Sequence, residues 1–239
     1  MANTDAALYK FERTEKKFWM GEEQYHNLLP VLEANTIPDK YGESTICNIY
    51  YDTPDYALIR RSIERPLFKE KLRIRSYGMP GEDDIVFVEI KRKLNGIGYK
   101  RRIKVPFNMA KNLLRGEPID CDNPQIEKEL LDFVGRYKPA PAVYLSYRRY
   151  AMIGKSDPTL RVTIDRNLRY RLTDLEHPSP DNMNPIMEDA SEVLMEIKAP
   201  AAIPIWLADE MSRLKIYQAP FSKVGFCYTR HIAQGISGK

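Results

Sequence analysis

Arg, Lys or Glu stands at every second position in six stretches of this chain, with mostly apolar residues between them. The clearest are Lys71-Leu72-Arg73-Ile74-Arg75, the run from Val86 to Lys93, and Lys100-Arg101-Arg102-Ile103-Lys104-Val105. Shorter ones run from Arg13 to Lys17, Leu160 to Asp165 and Leu194 to Lys198. A period of two is the mark of a β-strand, whose side chains alternate between faces. Arg73 and Arg75 therefore share one face, with Leu72 and Ile74 on the other; Glu89, Lys91 and Lys93 oppose Val88 and Ile90 in the same way. Antiparallel sheets commonly turn one polar face to water, which accounts for any single strand of this kind. It does not account for the set. On these faces bases outnumber acids and the acids stand singly beside a lysine, whereas solvated faces mix signs. The expected fold is α+β: about eight antiparallel strands curled into a barrel, helices outside, and a cationic lining with a few carboxylates. Such a lining suits a polyanion and a metal.

A chain of 239 residues fits one domain, residues 1–239, because barrels of this size are routinely single units. Hydrophobic content of 43% supports a packed core, and no composition shift divides the chain. A net charge of only +4 argues against a general nucleic-acid binder, so the cations matter by location. Cys47, Cys121 and Cys227 are odd in number and lack metal-ligand spacing, which fits thiols in a reducing compartment. Residues 1–10 contain no apolar signal core, and no window approaches the ~20 apolar residues of a membrane span. The expectation is a cytoplasmic protein without direct membrane insertion, which any membrane-protein partner would have to recruit.

Between the strands, Tyr25, Leu28, Leu29 and Leu32 recur at helical spacing, as do Ile205, Leu207, Met211 and Leu214. Two further helices are expected at 109–115 and 125–137, the second capped by Asn123 with Pro124 at its first position. Strands are expected at 45–52, 66–77, 84–93, 99–105, 143–153, 160–166, 168–172 and 193–198, with a polar loop at 177–185. The segment 221–232 has no assigned element.

Clustered arginines and lysines neutralise phosphates through charge-assisted hydrogen bonds, Arg as a planar fork and Lys as a point charge. Glu89 and Glu196, each two residues from a lysine, are hard oxygen ligands suited to Mg²⁺ or Mn²⁺. Phosphoryl transfer needs little beyond positioning, charge neutralisation and such a metal. Glycine-rich phosphate loops, His-Glu-x-x-His and Gly-x-Ser-x-Gly are all missing from the sequence, and the three histidines are scattered.

Phe11 to Met20, Lys71 to Tyr77, Val88-Glu-Ile-Lys91, Tyr147-Arg-Arg-Tyr150, Leu160 to Asp165, Met195-Glu-Ile-Lys198 and Phe221-Ser-Lys223 occur in that order. Together they resemble the catalytic domain of the vacuolar transporter chaperone (VTC) polyphosphate polymerases, within the triphosphate tunnel metalloenzymes or CYTH superfamily. The resemblance implies a tunnel barrel in which ATP donates its γ-phosphoryl group to a growing polyphosphate chain. By it, Lys17, Arg73, Arg75, Lys91, Lys100, Arg149, Arg161 and Lys223 serve catalysis, and Lys198 joins them because it shares their face. Of these, Arg73, Arg75, Lys91, Arg149 and Arg161 hold the nucleotide, while Glu196 holds Mn²⁺ or Mg²⁺, with Glu89 added as a second metal ligand from its place on the same kind of face. The implied partners are ATP, inorganic polyphosphate, triphosphate or pyrophosphate, with no specific nucleic acid.

Two positions depart from the pattern. The superfamily opens with Glu-x-Glu-x-Lys, where this chain has Arg13-x-Glu15-x-Lys17, and Pro220 stands where the polymerase form often has a lysine. The short chain, without a sensing domain or membrane helices, resembles bacterial members. Two other functions suit the same residues: a triphosphatase, in which water attacks instead of a phosphate chain, and a non-catalytic polyphosphate or nucleotide binder.

Overall fold

The described parts of all six alternating runs lie in or at the edge of strands, and runs such as Lys71–Arg75 bury their apolar residues, Leu72 and Ile74, opposite the charged ones. The structure is a computed structural model describing residues 14–236 except 65, 96, 177, 178, 180, 190, 191 and 201. Arg13, singled out above, lies outside the described residues. The strands are β1 (Thr14–Met20), β2 (Thr36–Asp52), β3 (Phe68–Tyr77), β4 (Ile85–Leu94), β5 (Ile97–Pro106), β6 (Ala140–Gly154), β7 (Arg161–Arg171), β8 (Asn184–Pro185) and β9 (Val193–Ala199). They form one nine-stranded sheet in the order β1-β9-β7-β6-β2-β3-β4-β5, with β8 beside β7. The pairs β1–β9, β2–β3, β3–β4, β4–β5 and β7–β8 are antiparallel. The α+β class and strand number agree with expectation. Closure into a barrel does not appear: among the described residues the pairing order is open, with β1 and β5 as its end strands.

The helices are α1 (Glu22–Asn35), α2 (Ala57–Ile63), α3 (Phe107–Leu114), α4 (Pro124–Tyr137), α5 (Ile205–Arg213), α6 (Lys223–Cys227) and α7 (Ala233–Ile236), with a π-helical turn at Tyr228–Ile232. As expected, the Asn123 side chain caps α4, accepting from the Ile126 amide at 3.1 Å. Helix α2 was not expected. Tyr56 at its N-cap offers no side-chain cap, and its first-turn amides are met from the preceding residues: Thr53 Oγ1 accepts from Ala57 at 2.9 Å, and Asp52 at the end of β2 accepts from Leu58 and Ile59 at 2.9 and 2.8 Å. Strand β2 starts nine residues before the expected Thr45 despite Pro38 and Gly42. The Asp39 carboxylate takes up the amides of Tyr41 and Gly42, and Gly42 sits at φ 55, a conformation glycine adopts readily. The two strands expected at 160–172 are one, with Asn167 at φ 52 inside it.

The chain divides into two compact units whose boundaries fall within β2, β6 and β7. The first takes in residues up to Gly42, Tyr150–Ile164 and Glu192–Pro220. Its core packs Phe18 and Met20, Leu28 and Leu32 of α1, Val162 and Ile164, Met195 and Ile197, and Leu207 and Met211 of α5. The second takes in Glu43–Arg149, Asp165–Ser191 and the chain from Phe221. There Leu72, Ile74, Val86, Val88, Ile90, Ile103 and Val105 pack beneath Phe107, Ala110 and Leu113 of α3 and Leu130 and Phe133 of α4. Burying each such side chain contributes about 1.5–3 kcal/mol, which fixes which face of every strand carries the charges. Cys47 and Cys227 are buried free thiols, while Cys121 is half-buried. Among the described residues no helix is long and apolar enough to cross a membrane.

Candidate anion-binding site

In the second unit the strand register stacks charged residues in rows across β2 to β5. Tyr50 pairs with Arg73, Arg73 with Glu89, and Glu89 with Arg102. The row on one side is Asn48, Arg75, Phe87 and Lys104; on the other, Lys71, Lys91 and Lys100. Directly opposed residues have Cβ atoms about 4.5–5.5 Å apart on one face, so alternation along each strand becomes a two-dimensional array of cations.

Glu89 anchors the array and is 1% exposed. Arg73 donates to its Oε2 from Nε and Nη2 at 2.9 and 2.7 Å; Arg75 Nε lies 3.9 Å from the same oxygen and Lys100 Nζ 3.6 Å from Oε1. Burial works against the carboxylate's charge, but the attraction of Arg73 and then Arg75, with the Arg73 hydrogen bonds and Lys100, holds its pKa down at about 2. Arg73 also donates to the Tyr50 hydroxyl at 3.0 Å, and Arg75 Nε to Asn48 Oδ1 at 3.0 Å. Two buried atoms here, Glu89 Oε1 and Asn48 Nδ2, have no hydrogen-bond partner among the described residues.

A second buried carboxylate, Asp165, organises the cations arriving from β6 and from the C-terminal segment. Arg149 Nε and Nη2 donate to Oδ1 and Oδ2 at 2.7 and 2.8 Å, and Lys223 Nζ donates to Oδ2 at 2.5 Å. Burial opposes this charge too, yet Lys223 and Arg149 outweigh it and lower the pKa. The Tyr147 ring carries both cations on its surface, Arg149 at 5.3 Å and Lys223 at 4.5 Å from the centroid. Arg73 feels Tyr147 as well, and Lys71 donates to Ser222 Oγ at 2.8 Å. Ser222, whose Oγ accepts from the Gly225 amide at 3.2 Å, opens α6 and so delivers Lys223 to the site. Arg73, Arg75, Glu89, Lys91, Lys100, Arg149 and Lys223 thus belong to one face or its immediate surroundings in this unit.

The remaining expected residues lie in the first unit. Across β1 and β9, Lys17 faces Glu196 and Glu15 faces Lys198. Lys198 Nζ reaches Glu196 at 2.7 Å, Lys17 reaches it at 3.9 Å, and both lysines lie 3.7 Å from Glu15. Opposite charges alternate around this square. Arg161 pairs with Asp39 at 2.7 Å and is 43% exposed. The two carboxylates assigned to a metal are therefore in different units, Glu89 in the second and Glu196 in the first. Among the described residues no three His, Cys, Asp or Glu side chains gather as a metal site. Glu15 with Glu196 nonetheless fits the oxygen donor set of Mg²⁺ or Mn²⁺, which take one or two carboxylates and complete their shell with water and phosphate oxygens.

Asp165, Tyr147, Asn48, Tyr50 and Lys71 carry no role in the sequence-based assignment. For Asp165 the signal was present, since it continues the Arg161-x-Thr163-x-Asp165 alternation. For Asn48 and Tyr50 it was the polar side of the Thr45–Asp52 alternation, a weak sign until β3 is placed beside it.

The second unit thus carries a cationic face built on β-strands, with buried acids fixing the arginines. Residues 12–231 match the VTC domain, and the chain belongs to that family. No curated protein matches the chain. Among solved structures it is similar to a protein of Pyrococcus horikoshii OT3, at 10% identity over 92% of this chain and 99% of that one, with a TM-score of 0.48. It is also similar to a candidate adenylate cyclase of Vibrio parahaemolyticus, at 10% identity over 90% and 96% of the two chains, with a TM-score of 0.45.

Proposed function

We propose that this VTC-domain protein is a metal-dependent polyphosphate polymerase. The terminal phosphate oxygen of a polyphosphate chain attacks the γ-phosphorus of ATP, the bond to the β-phosphate oxygen breaks, and ADP leaves. The observation that carries this reading is the cationic face of the second unit, where Arg73, Arg75, Lys71, Lys91, Lys100, Arg149 and Lys223 gather around two buried carboxylates, Glu89 and Asp165. Cations in such excess repel one another until a multiply charged anion arrives. The two acids hold the guanidinium groups in place before substrate binds, so little reorganisation is needed when charge moves in the transition state. No nucleophilic side chain is required.

Arg73 and Arg75 are assigned to the nucleotide triphosphate, with Lys91 and Lys100 beside them; Arg149 and Lys223 grip neighbouring phosphates. Lys17, Lys198 and Arg161 are the other cations assigned to catalysis, and they belong to the first unit. Glu196, with Glu15, is the assigned holder of Mn²⁺ or Mg²⁺, which when bound neutralises charge on the transferring phosphoryl group. Glu89 is the weaker metal candidate, since Arg73 occupies its Oε2.

The test is to incubate the pure protein with ATP and Mn²⁺ or Mg²⁺ and to resolve the products by chain length. Long phosphate polymer with matching ADP supports the polymerase. Orthophosphate without polymer identifies a triphosphatase, and neither product leaves a binding module.

A further inference from the structure

Tyr50 presents a proton with nowhere to go. Its hydroxyl accepts from Arg73 Nη1 at 3.0 Å, which uses an oxygen lone pair and leaves the O–H free to donate. Among the described residues no acceptor receives that proton, although Tyr50 is only 8% exposed. One register row away, Asn48 repeats the arrangement: Oδ1 accepts from Arg75, while Nδ2, fully buried, donates to nothing among the described residues. Each arginine of the pair is thus flanked on β2 by a buried donor that lacks an acceptor. Buried donors are rarely left unmet in folded proteins. Both donors lack an acceptor, and the guanidinium groups of Arg73 and Arg75 beside them favour an anionic one.

We propose that Tyr50 is a substrate-contacting residue, donating its phenolic hydrogen bond to the phosphate oxygen held by Arg73. The inference rests on the phosphate-binding reading of this face. It adds a neutral donor to a site otherwise made of fixed charges, and with it a dependence on pH that arginines cannot supply. The charged groups around the phenol are Arg73, Lys71 and Arg75 from β3, with Glu89 of β4 and Tyr147 of β6 beyond Arg73. Burial alone would raise the phenol's pKa, but Arg73, Lys71 and Arg75 outweigh it and bring it down to about 8. Below that value the phenol donates to a bound oxyanion. Above it the phenolate keeps its contact with Arg73 but has no proton to donate, and its negative charge repels an incoming anion until the oxygen is reprotonated.

The test is calorimetric titration of the whole protein with tripolyphosphate from about pH 7 to about pH 9.5, comparing wild type with Tyr50→Phe. The variant keeps the ring and its packing against Arg73 and removes only the hydroxyl. Near pH 7 it should bind roughly 10- to 100-fold more weakly, as for a lost hydrogen bond to a charged group. Wild-type affinity should fall as pH rises through about 8, and that component of the fall should be missing from the variant. A second readout needs no variant: adding tripolyphosphate to wild type above about pH 8 should lower tyrosinate absorbance as Tyr50 takes up a proton. Wild-type affinity in Tyr50→Phe across the range, or tyrosinate absorbance that ignores tripolyphosphate, overturns the assignment of Tyr50 alone. Failure of the wild type to bind tripolyphosphate at all overturns the phosphate reading and this inference with it.

Discussion

Arg73 stands directly across from Glu89 in the β3–β4 register and gives both Nε and Nη2 to a single oxygen of that carboxylate, at 2.9 and 2.7 Å. One lone acid, 1% exposed, thereby aims a guanidinium and is itself held ionised.

Acid titration should reveal this pair. Glu89 drops from 4.5 to about 2 on folding, so its stabilisation is complete above the unfolded value and is lost as pH falls toward the folded one. The shift corresponds to stability on the order of 3 kcal/mol. Denaturant melts between about pH 5 and pH 2 should show wild type losing stability faster than Glu89→Gln. Equal slopes for the two proteins would exclude the ion pair as the cause.

Arg75→Ala should weaken binding of a non-hydrolysable ATP analogue by about 1.5–3 kcal/mol with a smaller loss of stability than Arg73→Ala, because its hydrogen bond goes to neutral Asn48 and its approach to Glu89, 3.9 Å, is the longer one. Arg73→Ala should weaken binding similarly and also destabilise the fold by about 3–5 kcal/mol, since it strands a buried carboxylate. The two sit two residues apart on one strand face, so the double mutant should depart from additivity. Calorimetric titrations paired with thermal melts separate the two effects; unchanged affinity in both single mutants rejects the assignment of this strand.

Asp165→Asn should reduce turnover through two cations at once, because Arg149 and Lys223 share that carboxylate. If Asp165 works by holding them, Arg149→Ala in the Asp165→Asn background should cost much less than in wild type. Simple additivity of the two mutations in steady-state rates would count against a shared role.

Glu196→Gln should abolish turnover while leaving triphosphate binding intact, because the cations grip the anion and the carboxylate serves the metal. Chelation of divalent ions should reproduce the wild-type loss, and added Mn²⁺ should reverse it. Wild-type turnover in Glu196→Gln would remove Glu196 from the metal assignment.

Alternation was legible without any structure. The parity of Lys71 to Arg75 and of Val86 to Lys93 is set by backbone geometry and by which side chains leave water, both local matters. Segment 221–232 was not legible: its five-residue helix starts from a cap at Ser222, and the value of placing Lys223 there lies in Asp165, far along the chain. Helix α2 escaped for a similar reason, since its capping carboxylate, Asp52, belongs to the preceding strand.

The sequence by itself therefore determined that this protein would build sheet faces rich in arginine and lysine over an apolar core, because period and hydrophobicity are written residue by residue. Only the tertiary structure decided that Arg73 would meet Glu89, that Arg149 and Lys223 would share Asp165, and that Glu196 and Glu89 would lie in separate units. Register is the reason. Sliding one strand by two residues keeps every side chain on its face but exchanges every partner, and which slide is adopted depends on packing among Leu72, Val88, Ile103 and Leu113, residues that meet only in the folded chain.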